Sequence, residues 1–299
     1  MIASQETASP PAGFTHYARQ TMVAADASLA DNQFSHWYST LEGYNAARLG
    51  WGTPNAIPLT LSFWVRTSIP GSWGGSFRSA GSAMSYVWTY TTATTGWEYK
   101  TITIPGPTTG TWGKVNDAWG SLVFCQGFAT TCIYRTTTAN AWLSGGTSGG
   151  NYIGHSSQTN MLGTVGATFD ITGVQFEAGS VATPFEHKPY DQELREAQRF
   201  YERRDCSVNV GQDIMAVCYA TGAVAVGTWQ YMVPKRAQPI ILFPSNGSAR
   251  YVGTAGSVTG QTMQNSNRSI YAATLATTAT QTAGAGWLDG FIVVADAEM

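Results

Sequence analysis

Phe169-Asp-Ile-Thr-Gly-Val-Gln-Phe-Glu-Ala-Gly-Ser-Val-Ala-Thr-Pro-Phe-Glu-His-Lys-Pro-Tyr190 is the stretch in which this 299-residue chain changes character. Phe169 and Ile171 alternate with polar residues, and Val174 and Phe176 continue the alternation in the opposite phase. A period of two marks a strand with one buried face. The phase change at Thr172-Gly173 reads as a β-bulge, one extra residue in an otherwise regular ladder. Pro184 and Pro189 then stop the strand, and charge density rises sharply: residues 186–205 hold eleven of the chain's 34 Asp, Glu, Lys and Arg residues.

The charged stretch reads as the chain's one convincing helix. Pro189 precedes it, Asp191 and Glu193 lie in its first turn, and Arg203 and Arg204 close it. That order matches the helix dipole, acids at the start and bases at the end. Leu194, Ala197 and Tyr201 follow a 3-4 spacing with Phe200 beside them, a narrow apolar stripe about two heptads long. Such a stripe is marginal as an isolated coiled coil but suits a threefold axis if the flanking domains also associate.

Upstream, Leu59-Thr-Leu-Ser-Phe-Trp-Val-Arg66 is a clean period-2 strand. Tyr86, Trp88 and Tyr90 share one face of another, and Trp97-Glu-Tyr-Lys-Thr-Ile-Thr-Ile-Pro-Gly106 is a third, stopped by Pro-Gly. Leu122–Gln126 and Ile133–Thr136 read as a hairpin with its loop at Gly127–Thr130, placing Cys125 opposite Cys132. Short strands at this spacing indicate a sandwich or jelly roll. Downstream of the helix the chain is β again: 214–226, 229–233, 239–243 and the closing Gly290-Phe-Ile-Val-Val-Ala-Asp-Ala-Glu298. Residues 253–286 are rich in Thr, Ala, Ser and Asn and read as short strands with long loops. No solenoid repeat is present.

The expected fold is therefore all-β. A flexible lead-in covers 1–12, a jelly-roll sandwich 13–184, a short charged helical linker 185–205, and a second, C-terminal β-sandwich 206–299.

Charged residues make up 11% of the chain, against a usual share of about 25%, and aromatics 12%. The aromatics supply burial and exclude disorder. A net charge of −2 without a basic stripe excludes a nucleic-acid partner. No run of about 18 apolar residues predicts membrane insertion, and no apolar stretch of signal-peptide type follows Met1. The four cysteines and four histidines lack metal-ligand spacing, so no metal or other cofactor is expected. Cys125/Cys132 and Cys206/Cys218 read as small buried thiols, as in a protein assembled in a reducing cytoplasm, with a Cys125–Cys132 cross-strand disulfide as the alternative.

Nine of the eleven tryptophans precede residue 186. Flat aromatic faces suit the C–H-rich faces of sugar rings. Trp64 and Trp97 lie in alternating strands and read as core or strand-packing residues. Trp73, Trp112, Trp119 and Trp142 sit among glycines and polar residues and read as loop positions. They are either ligand-facing or buried against a neighbouring subunit. With Asp117, whose carboxylate neighbours Trp119, these four are the candidate ligand-binding residues. Glycoside hydrolysis needs two carboxylates flanking the bond. Carboxylates are few, and Asp117 has no nameable partner. No H-E-x-x-H motif or phosphate loop appears, Gly146-Thr-Ser-Gly-Gly150 being read as a flexible loop. No catalytic residue is assigned and no enzymatic activity is expected. Lys235 and Arg236, between Pro234 and Pro239, read as a solvated turn or an inter-subunit salt bridge. The polar loops between Ser245 and Gly284 are an equal candidate for receptor contact.

Together the Phe169–Tyr190 junction, Leu59–Arg66, Trp97–Gly106, Val233-Pro-Lys-Arg-Ala-Gln-Pro239 and the closing strand resemble bacteriophage tail-fibre and tail-tip proteins over most of residues 12–299. In that family a jelly-roll, carbohydrate-binding-like module ends where a charged helix begins. The resemblance implies a virion protein assembled in the host cytoplasm: the distal part of a tail fibre or related appendage, attached to other tail or baseplate proteins. It would act as a homotrimer that adheres to a host surface polysaccharide or lipopolysaccharide. Two other classes compete with it, a glycan depolymerase using Asp117 and a partner acid, and a ligand-free decoration or baseplate protein whose tryptophans are interface residues. Family members carry a further N-terminal strand region ahead of the point matching Ala12-Gly-Phe-Thr15. The resemblance thus implies a jelly roll completed by another chain or a neighbouring subunit.

Overall fold

The computed structural model describes residues 1–26, 28–144, 150–206, 214–218, 223–244, 247–251, 257–261, 263–281, 284–289 and 292–297. The chain divides into two units, Met1–Glu186 and His187–Met299. It is all-β, and the two α-helices among the described residues are both short.

In chain order the first unit runs β1 (Ile2–Glu6), β2 (Tyr17–Thr21), β3 (Phe34–Glu42), α1 (Gly43–Ala46), β4 (Leu59–Thr67), β5 (Gly71–Ser79) and β6 (Met84–Thr92). It continues through β7 (Glu98–Ile104), β8 (Ala118–Phe128), β9 (Arg135–Thr136), β10 (Trp142–Ser144), β11 (Gly154–His155) and β12 (Thr168–Ala178). Ten of these strands form two five-stranded sheets, ordered β1-β2-β12-β4-β7 and β10-β6-β5-β8-β3. Every pairing within the two sheets is antiparallel. The chain crosses repeatedly between the sheets, giving the jelly-roll sandwich that the strand pattern predicts. Leu59, Leu61, Phe63 and Val65 of β4 point into the core with Phe169 and Ile171 of β12. They meet Trp73, Phe77, Tyr86, Trp88 and Phe124 of the other sheet.

The bulge expected in β12 is present. The β12–β4 register shifts between Thr172 and Gln175, and Gly173 adopts φ +58°. That left-handed backbone disfavours any side chain, and a Cβ there would lie 2.5 Å from the Phe14 ring.

Three expectations are corrected. Residues 2–6 are not a flexible lead-in: β1 pairs with β2 over five residues and forms the sheet's edge. The Cys125–Cys132 hairpin does not form, because β8 is flanked by β3 and β5, with Cys125 opposite His36 and Gly74. Cys125 and Cys132 are free and buried in one apolar cluster with Val123, Phe128 and Ile153. Burial pushes the Cys125 thiol up to about 12, so it is an inert packing group.

The third correction concerns the helix. In the second unit, α2 (Tyr190–Gln198) ends several residues before Arg204, and Tyr201–Asp205 is strand β13. This unit continues with β14 (Ile214–Cys218), β15 (Ala223–Gln230), β16 (Ile240–Leu242), β17 (Gly247–Tyr251), β18 (Ser257–Gln261), β19 (Met263–Arg268), β20 (Ala272–Gln281), β21 (Gly284–Asp289) and β22 (Ile292–Asp296). A three-stranded sheet, β13-β22-β16, accompanies a seven-stranded one, β18-β17-β21-β14-β15-β20-β19. Their core gathers Cys206, Trp229, Tyr231, Ile241, Leu275, Leu288, Val293 and Ala295, a second β-sandwich. The last five residues of the expected linker 185–205 are thus strand, and β13 belongs to this sandwich through its pairing with β22.

Lys235 and Arg236 are neither a solvated turn nor free for another subunit. Lys235 is buried, and its Nζ donates to Glu202 Oε2 at 2.6 Å and to the Gln198 carbonyl while lying 4.8 Å from the Tyr231 ring centroid. The Arg236 N–H donates to the Arg199 carbonyl at 2.8 Å. The end of a helix leaves carbonyls without intrahelical partners, and this turn supplies donors for two of them.

Candidate functional site

The tryptophans exchange roles relative to the sequence reading. Trp73 is not in a loop but inside β5, fully buried. Trp112 and Trp119 are buried as well, and Trp142 is half-buried with its Nε1–H donated to the Pro105 carbonyl at 2.7 Å. Trp51, Trp112, Trp119 and Trp142 form one aromatic cluster with ring centroids 4.4–5.6 Å apart. Their neighbouring glycines are not loop markers. A Cβ on Gly75 would meet the Trp88 ring at 2.7 Å, and one on Gly120 the Phe77 ring at 2.5 Å. Glycine here makes room for large rings to pack, which from sequence alone looks the same as loop composition.

Asp117 is turned into its own loop. Its Oδ1 accepts the Val115 N–H at 3.2 Å, and its carboxylate packs against the backbone of Gly43 and Gly113. The five candidate ligand residues are therefore core or loop-bracing groups rather than an exposed set.

Aromatic surface appears instead where the sequence reading placed core. On β4, Thr60, Ser62, Trp64 and Arg66 alternate with the core-facing row and so point away from the sandwich interior; Thr60 and Ser62 are covered there, and Trp64 and Arg66 are half-buried. Register carries this outward face across the sheet. One row is Ser4, Arg19, Asp170 and Arg66, with Trp97 beyond it; the next contains Glu6, Tyr17, Thr172, Trp64 and Tyr99. Trp64 is half-buried and Tyr99 is 43% exposed, their ring centroids 5.4 Å apart and tilted by 51°.

Beside this pair lies a charged knot. Asp170, with no solvent exposure, accepts from Arg19 Nε at 2.7 Å, Arg19 Nη2 at 2.8 Å and Arg66 Nε at 2.8 Å. The guanidinium of Arg66 lies 4.7 Å from the Trp97 ring centroid and 5.0 Å from that of Tyr17. The bond to Asp170 raises the Arg19 pKa above its already high ordinary value, so this cation stays charged. Trp97 is held by its Nε1–H, which donates to the Ser9 carbonyl at 2.8 Å. A pocket of about 450 Å³ opens here, lined by Ser9, Tyr17, Arg19, Arg66, Ser68, Thr95 and Thr168 among others. That volume lies within the roughly 300–1,000 Å³ usual for small-ligand sites.

The outward face of the other sheet is occupied in part, although Tyr38 of β3, its ring 5.5 Å from that of His36, stays 59% exposed there. Val123, Cys125 and their cluster are covered by the segment carrying β9 and β11. On that side His36 neighbours Arg78, and burial first, then the Arg78 charge, lowers its pKa to about 4. Residues 145–149, inside the glycine-rich stretch read as a loop, lie outside the described residues, as do 245–246, 252–256, 262 and 282–283 in the candidate receptor loops, and the Cys218 side chain. Among the described residues, no group of three or more His, Cys, Asp or Glu is placed to hold a metal ion. No helix among them is long and apolar enough to cross a membrane.

No family model matches the chain, and no curated protein matches it. Among solved structures, an arabinose-bound α-L-arabinofuranosidase is similar at a TM-score of 0.33 and 10% identity, covering 67% of this chain and 26% of that one. The chain thus spans about a quarter of that protein's length, and a likeness of this size decides neither fold nor activity.

Proposed function

We propose that this chain is a non-catalytic carbohydrate-adhesion protein of a bacteriophage virion. It forms the distal part of a tail fibre or related appendage and binds host surface polysaccharide or lipopolysaccharide through the outward face of sheet β1-β2-β12-β4-β7. The observation that carries the glycan reading is the Trp64–Tyr99 pair, Tyr99 exposed and Trp64 half-buried, on the same sheet face as Arg66, which lines a hydroxyl-bearing pocket. A sugar ring presents C–H groups to such rings and hydroxyls to the polar rim. The virion assignment rests on the sequence resemblance described above.

The non-catalytic reading draws support from the local chemistry. Asp117 serves its own loop, and both Asp170 oxygens are engaged by guanidiniums. A glycan array read together with reducing-sugar release tests both halves of the proposal. Binding without release is expected. Turnover that disappears in Asp117→Asn would replace this reading with a depolymerase, and no binding to any glycan would favour a ligand-free structural protein.

Assembly as a homotrimer is part of the proposal. Leu194 is 40% exposed on α2 and Ala197 is exposed one turn on. Phe200 and Tyr201 continue the apolar strip beyond the helix end.

A further inference from the structure

The pocket lined by Arg19, Arg66 and Tyr17 carries more positive charge than its partners neutralise. Two guanidiniums, Arg19 and Arg66, share one carboxylate, Asp170, and each spends its Nε and Nη2 on it. Arg66 Nη1 has only a long 3.5 Å contact with the Ser9 carbonyl, and Arg19 Nη1 has no partner among the described residues. Glu6 is the other acid in the field of Arg19. It does not line the pocket, and its Oε1 already accepts the Ser4 hydroxyl at 2.8 Å. The hydroxyls of Ser9, Thr95 and Thr168 also line the space, and none makes a hydrogen bond among the described residues.

A pocket with excess guanidinium donors in a planar fork, free hydroxyls and a tyrosine wall fits one chemistry better than others. It matches a carboxylate carried on a polyhydroxylated ring. Guanidinium–carboxylate hydrogen bonds are roughly twice as strong as neutral ones, and the guanidinium geometry accepts a carboxylate in a way that a neutral hydroxymethyl does not reproduce. We infer that this pocket selects acidic sugars, with Arg19 and Arg66 reading the sugar carboxylate while Trp64 and Tyr99 take the adjoining ring. The inference rests on the glycan-binding reading above and adds the class of sugar to it.

The test uses the full chain on a panel of uronate-containing oligosaccharides, each paired with its carboxyl-reduced counterpart, which differs only in bearing a hydroxymethyl in place of the carboxylate. The wild-type protein is expected to bind at least one acidic member and to bind its reduced counterpart at least tenfold more weakly. The preference should shrink as salt rises, because exposed charge pairs are screened. Arg19→Gln leaves Asp170 paired to Arg66. It removes the donor to the buried Asp170 Oδ1, so the melting temperature should fall; measured below that temperature, affinity for the acidic member should drop tenfold or more without weakening any binding to neutral members. Equal binding of acid and reduced forms by the wild type, or a folded Arg19→Gln variant with undiminished acid preference, overturns the inference and leaves glycan adhesion standing. The wild-type comparison decides the matter even if Arg19→Gln fails to fold. Absence of binding to every acidic and neutral member defeats the inference and the adhesion reading together.

Discussion

Trp64 and Trp73 show how one residue type divides between core and surface. Trp64 sits in a strand whose alternation was plain in the sequence. Leu59, Leu61, Phe63 and Val65 take the inner face, and Trp64 falls between them on the outer one. That placement was legible, although it was read as strand packing rather than as exposed surface. Trp73 was not legible, because the Gly-Gly that follows it signals a loop as readily as a strand that must accommodate Trp88. Trp73→Ala is expected to cost about 3–5 kcal/mol in urea unfolding, the range for emptying a buried aromatic site. Trp64→Ala should cost far less and act on binding instead. Lys235 gives a second test at this scale. Lys235→Met would leave Glu202 buried without its cation, a loss of about 3–5 kcal/mol by the same measurement. Adding Glu202→Leu should recover much of it. His36 gives a third. Its folded pKa, about 4, lies below its unfolded value, so the folded state disfavours the protonated ring. Its contribution is fully present above about pH 6.5, and stability falls as pH drops through the interval down to about 4. Proton NMR should place the His36 midpoint near the lower limit. A midpoint near 6.5 would mean that the ring is solvated and far from Arg78.

Among the elements, strands defined by alternation were readable and those defined by pairing were not. β4, β6, β7 and β12 announce themselves by period-2 patterns, and the β12 bulge by Thr172-Gly173. Gly173→Val should destabilise by roughly 1–3 kcal/mol, since it forces a branched side chain into left-handed backbone and against Phe14. Chemical denaturation checks this, and an unchanged midpoint would show that the bulge relaxes. β1 is polar and short, and only its five register partners on β2 reveal it as strand. β13 is the opposite case. Glu202, Arg203 and Arg204 belong to a charge-rich helical pattern, yet five pairs with β22 hold them extended. Local propensity is a weak prior that tertiary pairing overrides. The capping turn at Lys235 and Arg236 closes the helix from 37 residues away, a relation that no local pattern encodes.

At the scale of the whole molecule, the all-β class and the two-sandwich order were legible because they follow from patterning, turn spacing and composition. The candidate site was not, because surface is decided by which face of which sheet remains uncovered. One sheet's outer face is covered in part by the segment carrying β9 and β11 and keeps Tyr38 exposed; the other keeps Tyr99 exposed and Trp64 half-buried beside the Arg19–Asp170–Arg66 knot. Assembly is testable at this scale. Light scattering should give three times the 32.0 kDa chain mass, and Leu194→Asp should weaken the trimer by desolvating a carboxylate at its seam. A stable monomer at micromolar concentration would remove assembly from the account. The central claim is that the outward aromatic face binds glycan, and a host-surface glycan array run with wild type and Trp64→Ala tests it most directly. A stacked ring is worth on the order of 1–3 kcal/mol. Wild type should therefore bind, and a Trp64→Ala variant of unchanged melting temperature should bind about tenfold or more weakly. Undiminished binding by folded Trp64→Ala, or no glycan bound by wild type, would contradict it.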